Sequence, residues 1–176
     1  MDPEILKRAE IFETLEASQT ARLLAVARPH RLERGECLFL LGDHADRLYV
    51  VLSGKMELSF PLMFGSAVRE VAVETKSPVS VLGWSAFVKP YRFTLSARAV
   101  EPTELAGFPR NELQMVFESD PRIGYAFTRH VSEVVGRRLL QVQALWAREL
   151  QRTVTSYMRD PGQAPPDPSP PSPQGR

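Results

Sequence analysis

The sequence predicts a mainly β protein with flanking helices, an α+β fold built around an antiparallel β-sandwich or barrel. Between residues 30 and 107, short runs rich in β-branched and aromatic residues are separated by glycine, serine and proline turn signals. On either side of that stretch, apolar residues recur instead at the three- and four-residue spacing of helices. The predicted order is therefore helices, about eight short strands and a helical arm.

The composition is that of an ordinary globular protein with room for one domain and a tail. Of the 176 residues, 43% are apolar and 24% are charged, and the net charge of +1 offers no electrostatic basis for nucleic-acid binding. We expect a cytoplasmic protein without a membrane span, since no apolar run approaches the ~20 residues that a span needs. The single cysteine, Cys37, excludes an intrachain disulfide and is expected to be buried in a strand.

Two short helices are predicted within residues 3–28. The first carries apolar residues at helical spacing between Ile5 and Leu15. The second is predicted to begin with Ser18 as its N-cap and to end at Pro29, because serine caps orphan backbone N–H groups and proline cannot continue a helix.

The strand region contains four runs whose alternation is typical of strands. Gly35, Gly42 and Gly54 lie between runs, where a turn needs a positive φ. The run that contains Leu48 and Val51 is apolar at consecutive positions, which predicts a strand buried on both faces. The four runs are residues 38–41, 47–52, 55–60 and 69–74, and a turn is predicted over 61–66.

The C-terminal part is predicted to be helical. Residues 110–119 form one short amphipathic helix, and Pro121 starts a longer one that continues to about Met158. The excess of arginine over glutamate on the long helix is interpreted as a solvated face. After it, prolines predict a disordered or polyproline-II tail. The predicted domain spans 1–158, with the sandwich at 30–107, the helical arm at 121–158 and the tail at 159–176.

Residues 31–58, RLERGECLFLLGDHADRLYVVLSGKMEL, carry the most specific pattern in the chain. This stretch resembles the first half of a cyclic nucleotide-binding domain, as in bacterial catabolite-activator regulators and protein kinase A regulatory subunits. The resemblance continues over roughly residues 5–150 and implies a jelly-roll β-sandwich with a long C-terminal helix. The matching elements are Gly35-Glu36, Phe39, Gly42-Asp43, Ala45-Asp46, Leu48-Tyr49-Val50-Val51 and Ser53-Gly54.

The resemblance also implies a phosphate-binding cassette over residues 80–99. In the family, a glycine opens a one-turn helix, a glutamate binds the ribose and an arginine pairs with the phosphate. Gly83 fits the glycine, Trp84 stands at the glutamate position, and Phe93 falls at the arginine position when Arg98-Ala99 is aligned. Arg92 comes one residue early. The candidate ligand-binding residues are Gly83, Trp84, Ser85, Ala86, Arg92 and Thr94.

Three interpretations of the cassette remain open. Trp84 and Phe87 could fill an empty pocket, the site could be re-tuned for another anionic or aromatic ligand, or it could bind a cyclic nucleotide. Loss of both family contacts would cost about 3–6 kcal/mol, which weakens a cyclic nucleotide site by about 10²–10⁴ in affinity. We therefore expect a regulatory sensor domain in signal transduction, with a degenerate or altered ligand specificity; a ligand-free homodimeric interaction module is the alternative.

No enzyme is predicted, because His30, His44 and His130 show no metal-ligand spacing and no nucleophile motif is present. An enzyme of the cupin type is a further class left open, although such a metal site needs clustered histidines and none of the three is expected in a strand. We expect no bound metal or cofactor other than such a ligand. A recognition helix is not found after residues 122–152, so no direct DNA binding is expected. The resemblance and the apolar stripe from Val135 to Leu150 predict a homodimer through the long helix, and a protein partner of unknown identity is expected to receive the signal.

Overall fold

A computed structural model describes Ile5 and residues 7–9, 11–12 and 15–159 of the chain. Within them, eight strands form two four-stranded antiparallel sheets, one in the order β1-β8-β3-β6 and the other in the order β2-β7-β4-β5. This is the predicted jelly-roll β-sandwich with flanking helices. The strands are β1 Arg28–Leu32, β2 Cys37–Phe39, β3 Arg47–Ser53, β4 Met56–Phe64, β5 Ala67–Lys76, β6 Val81–Leu82, β7 Ser96–Ala99 and β8 Thr103–Pro109.

The helices follow the predicted order. They are α1 Ala17–Val26, a 3₁₀ helix Trp84–Phe87, α2 Arg110–Ser119 and α3 Pro121–Arg159. The chain divides into two compact units, Met1–Ser132 and Glu133–Arg176, and the first contains all the strands. The proline-rich tail predicted at 159–176 lies, from residue 160 onwards, outside the described residues. In the described part of the chain, no helix is both long and apolar enough to cross a membrane.

Both ends predicted for α1 were wrong. Its N-cap is Glu16, not Ser18, and the Glu16 and Gln19 side chains form a reciprocal capping box with each other's backbone N–H groups. The helix ends at Val26, and Pro29 lies inside β1. Proline is tolerated there because β1 is an edge strand of its sheet, where a missing N–H removes no ladder bond on the open side. Among the described residues of the first predicted helix, Ile5 and Lys7 are helical, whereas Arg8, Ala9, Ile11 and Phe12 lie in turns or a bend.

The turn predicted over 61–66 is shorter than expected, because β4 continues through Pro61 to Phe64. Pairing of β4 with β7 ends at Ser59, and beyond it β4 pairs only with β5. Pro61 therefore lies in a segment of β4 that has only one neighbouring strand. Its missing N–H removes no hydrogen bond on the open side of that segment. The hairpin formed by β4 and β5 extends beyond the sandwich and exposes apolar side chains, among them Phe60, Leu62, Met63, Phe64, Val68 and Val73.

The sandwich interior is an apolar cluster to which both sheets contribute. Tyr49 and Val51 belong to it, whereas Leu48 and Val50 are buried on the opposite face of β3. This confirms that β3 is buried on both faces. Cys37 is exposed, contrary to expectation, because the register of β2 against β7 shifts between Cys37 and Phe39.

Candidate functional site

Gly83 joins β6 to the 3₁₀ helix at a point where only glycine fits. Its φ is +77°, in the left-handed region, and a Cβ there would lie 2.6 Å from the carbonyl oxygen of Arg47. The same Cβ would touch Phe93 Cε1 and Tyr49 Cδ2, each at 3.4 Å. Gly83 therefore lies where β3, β6 and the segment around Phe93 converge.

The 3₁₀ helix that follows packs two of the predicted site residues into the protein. Ser85 and Ala86 are buried and Trp84 is half-buried. The Ala86 N–H donates to the Gly83 carbonyl at 3.0 Å, and the Ala86 carbonyl accepts from Arg110 Nη1 at 3.5 Å. The short helix is thus held by its own turn and by the beginning of α2.

Arg92 and Phe93 point in opposite directions along one extended segment. Phe93 is 5% exposed and stacks on Phe39, with ring centroids 3.7 Å apart and planes at 6°. Arg92 is exposed, and its Nη1 donates to the carbonyl of Gly42 at 2.7 Å. Thr94 is exposed as well. An aromatic ring therefore lies beside Gly83, where the family pattern implies an arginine.

The loop before Arg92 is held on two sides. Tyr91 has a φ of +60°, which is uncommon for a residue with a side chain, and its carbonyl accepts from the Ala45 N–H at 2.8 Å. The Arg110 guanidinium lies 4.4 Å from the centre of the Tyr91 ring. An isolated antiparallel bridge pairs His44 with Arg92. These contacts fix the phase of the segment, so Phe93 faces inward.

A polar group on β1 and β3 lies next to this site and was missed from the sequence. Arg47 and Tyr49 are alternate residues of β3, and Arg47 Nη1 lies 3.3 Å from His30 Nε2. The His30 and Tyr49 rings meet edge to face, with centroids 5.4 Å apart. Counting β3 by twos from buried Tyr49 and Val51 puts Arg47 on the interior face. This alternation along β3 was the sequence signal that could have identified Arg47 as a residue of the site.

Burial and the guanidinium charge shift the titrations of this group. The pKa of His30 lies below its ordinary value of 6.5, first because burial disfavours the imidazolium and second because Arg47 repels it. The pKa of Tyr49 is raised, mainly by burial, although Arg47 opposes that shift. The neutral His30 ring can accept a hydrogen bond from Arg47 through Nε2.

Phe87, the last residue of the 3₁₀ helix, links the site to α2 and α3. Its ring lies 4.5 Å from that of Phe127 and 6.0 Å from that of Phe117, and the Phe117 and Phe127 centroids are 4.9 Å apart. Such edge and tilted contacts are favourable for aromatic rings. The 3₁₀ helix is therefore in direct aromatic contact with α2 and with the beginning of α3.

Metal chemistry has no visible basis in the described part of the chain. No group of three or more His, Cys, Asp or Glu side chains there is placed to hold an ion. His30 lies in β1, although no histidine was expected in a strand. His44 is exposed and His130 is buried in α3.

Comparison with known proteins gives the family. The model of the cyclic nucleotide-binding domain matches residues 29–120. The chain is 30% identical over 136 residues to the CRP-like cAMP-activated global transcriptional regulator of Mycobacterium tuberculosis (strain H37Rv). That match covers 77% of this chain and 58% of the relative, so the chain spans little more than half the length of that protein.

Solved structures agree. The N-terminal domain of a transcriptional regulator from Streptomyces coelicolor A3(2) is 29% identical and superposes with a TM-score of 0.63, covering 81% of this chain and 94% of that one. The catabolite activator protein of Thermus thermophilus, at 21% identity, shares the fold with a TM-score of 0.67, over 77% of this chain and 62% of that one. The family match covers the sandwich, the Gly83 turn and α2, and this chain therefore belongs to the cyclic nucleotide-binding domain family.

Proposed function

We propose that this chain is a non-catalytic, cytoplasmic regulatory sensor domain whose site is re-tuned for an anionic ligand other than a tightly bound cyclic nucleotide. The observation that carries the proposal is Phe93, which stacks on Phe39 beside Gly83 where the family implies an arginine. Arg92 does not replace it, since its guanidinium is exposed and bonded to the Gly42 carbonyl. Trp84 at the glutamate position supports the same conclusion, because indole offers no acceptor to a ribose hydroxyl.

The regulatory part of the proposal is supported by the relatives and by the aromatic link. The M. tuberculosis relative is by name a cAMP-activated transcriptional regulator. In this chain, Phe87 connects the 3₁₀ helix to Phe127 of α3. A ligand that displaces the 3₁₀ helix would bias the position of α3, which is the two-state element that such coupling requires.

Titration calorimetry with cyclic AMP, cyclic GMP and cyclic dinucleotides tests the specificity. We expect the wild type to bind no cyclic mononucleotide more tightly than about millimolar, because the phosphate partner and the ribose acceptor are both missing. The Phe93→Arg variant restores the cation and should gain at least about tenfold for cyclic AMP. Micromolar binding of cyclic AMP by the wild type, lost in Arg92→Ala, would contradict the proposal.

A second part of the proposal is a homodimer through α3. Residues of its 133–159 segment expose apolar side chains at three- and four-residue spacing, with Leu139 at 56%, Val142 at 57% and Trp146 at 67% exposure. An apolar stripe of that spacing suits a two-stranded helix seam with a second copy of the chain. Trp146→Glu should shift the sedimentation equilibrium to monomer, whereas Gln141→Glu, on the opposite side of the helix, should leave it unchanged.

A ligand-free homodimeric interaction module is the second candidate function. The filled space between Phe93, Phe39 and Gly83 favours it, because a packed aromatic pair leaves the fold stable without a ligand. The partner would then be a protein of unknown identity. If no anionic ligand changes the unfolding temperature while the dimer persists, the module replaces the sensor as the conclusion.

A further inference from the structure

Arg47 is a half-buried cation on the interior face of β3 that forms no ion pair with any of the described residues. Its Nε is buried and, within the described residues, has no hydrogen-bond partner. The rest of the guanidinium is in contact with the neighbouring side chains: Nη1 lies 3.3 Å from His30 Nε2, and the Tyr49 side chain is hydrogen-bonded to Arg47. Buried guanidinium nitrogens are nearly always paired, so an orphaned one requires an explanation.

The surrounding backbone makes room for this arginine. Gly107 of β8 lies between His30 and Arg47, and a Cβ on it would come within 2.6 Å of the His30 ring and 3.2 Å of Arg47 Cδ. The arginine stem therefore lies over a glycine in the interior face of the sheet. The carbonyl of the same Arg47 residue lies over Gly83. The orphaned nitrogen thus belongs to a residue in contact with the cassette.

His30 does not neutralise Arg47. Burial and the guanidinium both favour the neutral imidazole, which serves as an acceptor and carries no negative charge. Asp46 is adjacent in sequence but exposed, and within the described residues no ion pair joins it to Arg47. Arg47 Nε therefore keeps a donor that no described residue accepts.

We propose that Arg47 binds the oxyanion of the ligand that this domain senses, through a phosphate or carboxylate group. The inference rests on the proposed sensor function and names the group that carries its ligand chemistry. A guanidinium presents Nε and an Nη as a planar fork that matches two oxygens of a phosphate or carboxylate. Arg47 would thus supply, from β3, the cation that the cassette segment lacks at Phe93.

Titration calorimetry with inorganic phosphate, cyclic AMP and succinate tests this inference and separates the phosphate from the carboxylate source. We expect phosphate or succinate to bind the wild type. Arg47→Met, which keeps the apolar stem, should weaken that binding by about 10- to 100-fold. Arg47→Lys keeps the charge without the fork and should lose about threefold to tenfold. Arg69→Met, the matched control at an exposed arginine of β5, should stay within about twofold.

A second readout follows His30 by NMR. Addition of the binding probe should move the ring-proton signals of His30 in the wild type and leave them unmoved in Arg47→Met. Circular dichroism establishes that each variant is folded, and Arg47→Lys carries the test if Arg47→Met is not.

Failure of the inference about Arg47 and failure of the proposed sensor function would give different results. Binding that is unchanged in Arg47→Met and lost in Arg92→Met would overturn the role of Arg47 and leave the sensor function standing. If none of the three probes binds the wild type at millimolar concentration, the sensor function fails and the inference fails with it. The Arg47–His30 contact would then be structural.

Discussion

Residues 35–54 and residues 83–94 both belong to the family pattern, but they differ in which of the family's residue types they retain. In the first region, the glycines lie at turns with positive φ, and Gly54 has the backbone carbonyl of Pro102 only 2.3 Å from the place of a Cβ. In the second region, Gly83 is retained, whereas aromatic side chains stand at Trp84 and Phe93. The turns are constrained by backbone atoms that cannot move aside. The site is lined by side chains, which can be exchanged while the backbone stays in place.

Gly54→Ala should have the largest effect on stability. We expect a loss of at least about 4 kcal/mol in the free energy of unfolding, because the new methyl group meets backbone atoms of Pro102 and Thr103 and the φ of +79° is strained. Urea denaturation measures it. Gly35→Ala is the control, since its φ is +90° but nothing lies within 4 Å of the Cβ, and it should cost only about 1–2 kcal/mol. Equal losses of stability in the two variants would show that the close approach of the Pro102 backbone adds nothing to the cost of the positive φ.

Phe93→Ala should destabilise the protein by about 3 kcal/mol, through lost transfer free energy and a cavity beside Phe39. The neighbouring Thr94→Ala, at an exposed position, should change stability by less than about 0.5 kcal/mol. Thermal and urea unfolding measure both. A negligible loss for Phe93→Ala would mean that the aromatic stack does not fill the site, and the argument for altered specificity would weaken with it.

Phe87→Ala should cost about 2 kcal/mol, less than Phe93→Ala because Phe87 is only half-buried. It removes the ring that lies between the 3₁₀ helix and Phe127. Hydrogen exchange should therefore speed up in the first turns of α3 more than in the sheets. The control is Tyr125→Ala, an aromatic truncation at an exposed position of the same helix. Uniform acceleration across the domain would contradict a local link.

The smallest effect should come from the titration of His30. Its pKa in the folded protein lies below 6.5, so the unfolded chain binds more protons there and stability falls as the pH drops through 6.5 towards the folded pKa. NMR titration of the ring protons measures that pKa directly. In Arg47→Met it should move back towards 6.5, but only partly, because burial is the larger cause and remains. A pKa unchanged by Arg47→Met would show that the guanidinium does not act on the ring.

The order of helices and strands along the chain was accessible from the sequence because it follows from local patterns. A continuous apolar run between turn signals located β3, and helical spacing after a proline located α3 from Pro121. The predictions were wrong where pairing with a neighbouring strand, and not the local sequence, decided the structure. Pro61 reads as a turn residue, yet it lies within β4 because β7 no longer pairs there. Cys37 reads as buried, yet a register shift against β7 leaves it exposed.

The candidate site was predicted less completely than the fold. Gly83 was recognised through the family resemblance, and its φ of +77° explains why a glycine is needed there. Arg47 was not, because its significance depends on Gly107 and His30, which are distant in sequence and adjacent only across the sheet. The direction of Arg92 could not be read either, since it depends on how the loop at Tyr91 is held.

The sequence by itself determined the antiparallel strands and the long helix, because glycine turns and apolar periodicity act through each residue's own backbone and its nearest neighbours. The resemblance of residues 31–58 to a known pattern added the family and the jelly-roll sandwich. Only the tertiary structure decided that Phe93 faces Gly83, that Arg92 binds the Gly42 carbonyl and that Arg47 Nε is buried without a hydrogen-bond partner among the described residues. Those outcomes depend on strand pairing, which brings distant residues together and selects the side chain that occupies the space at their junction.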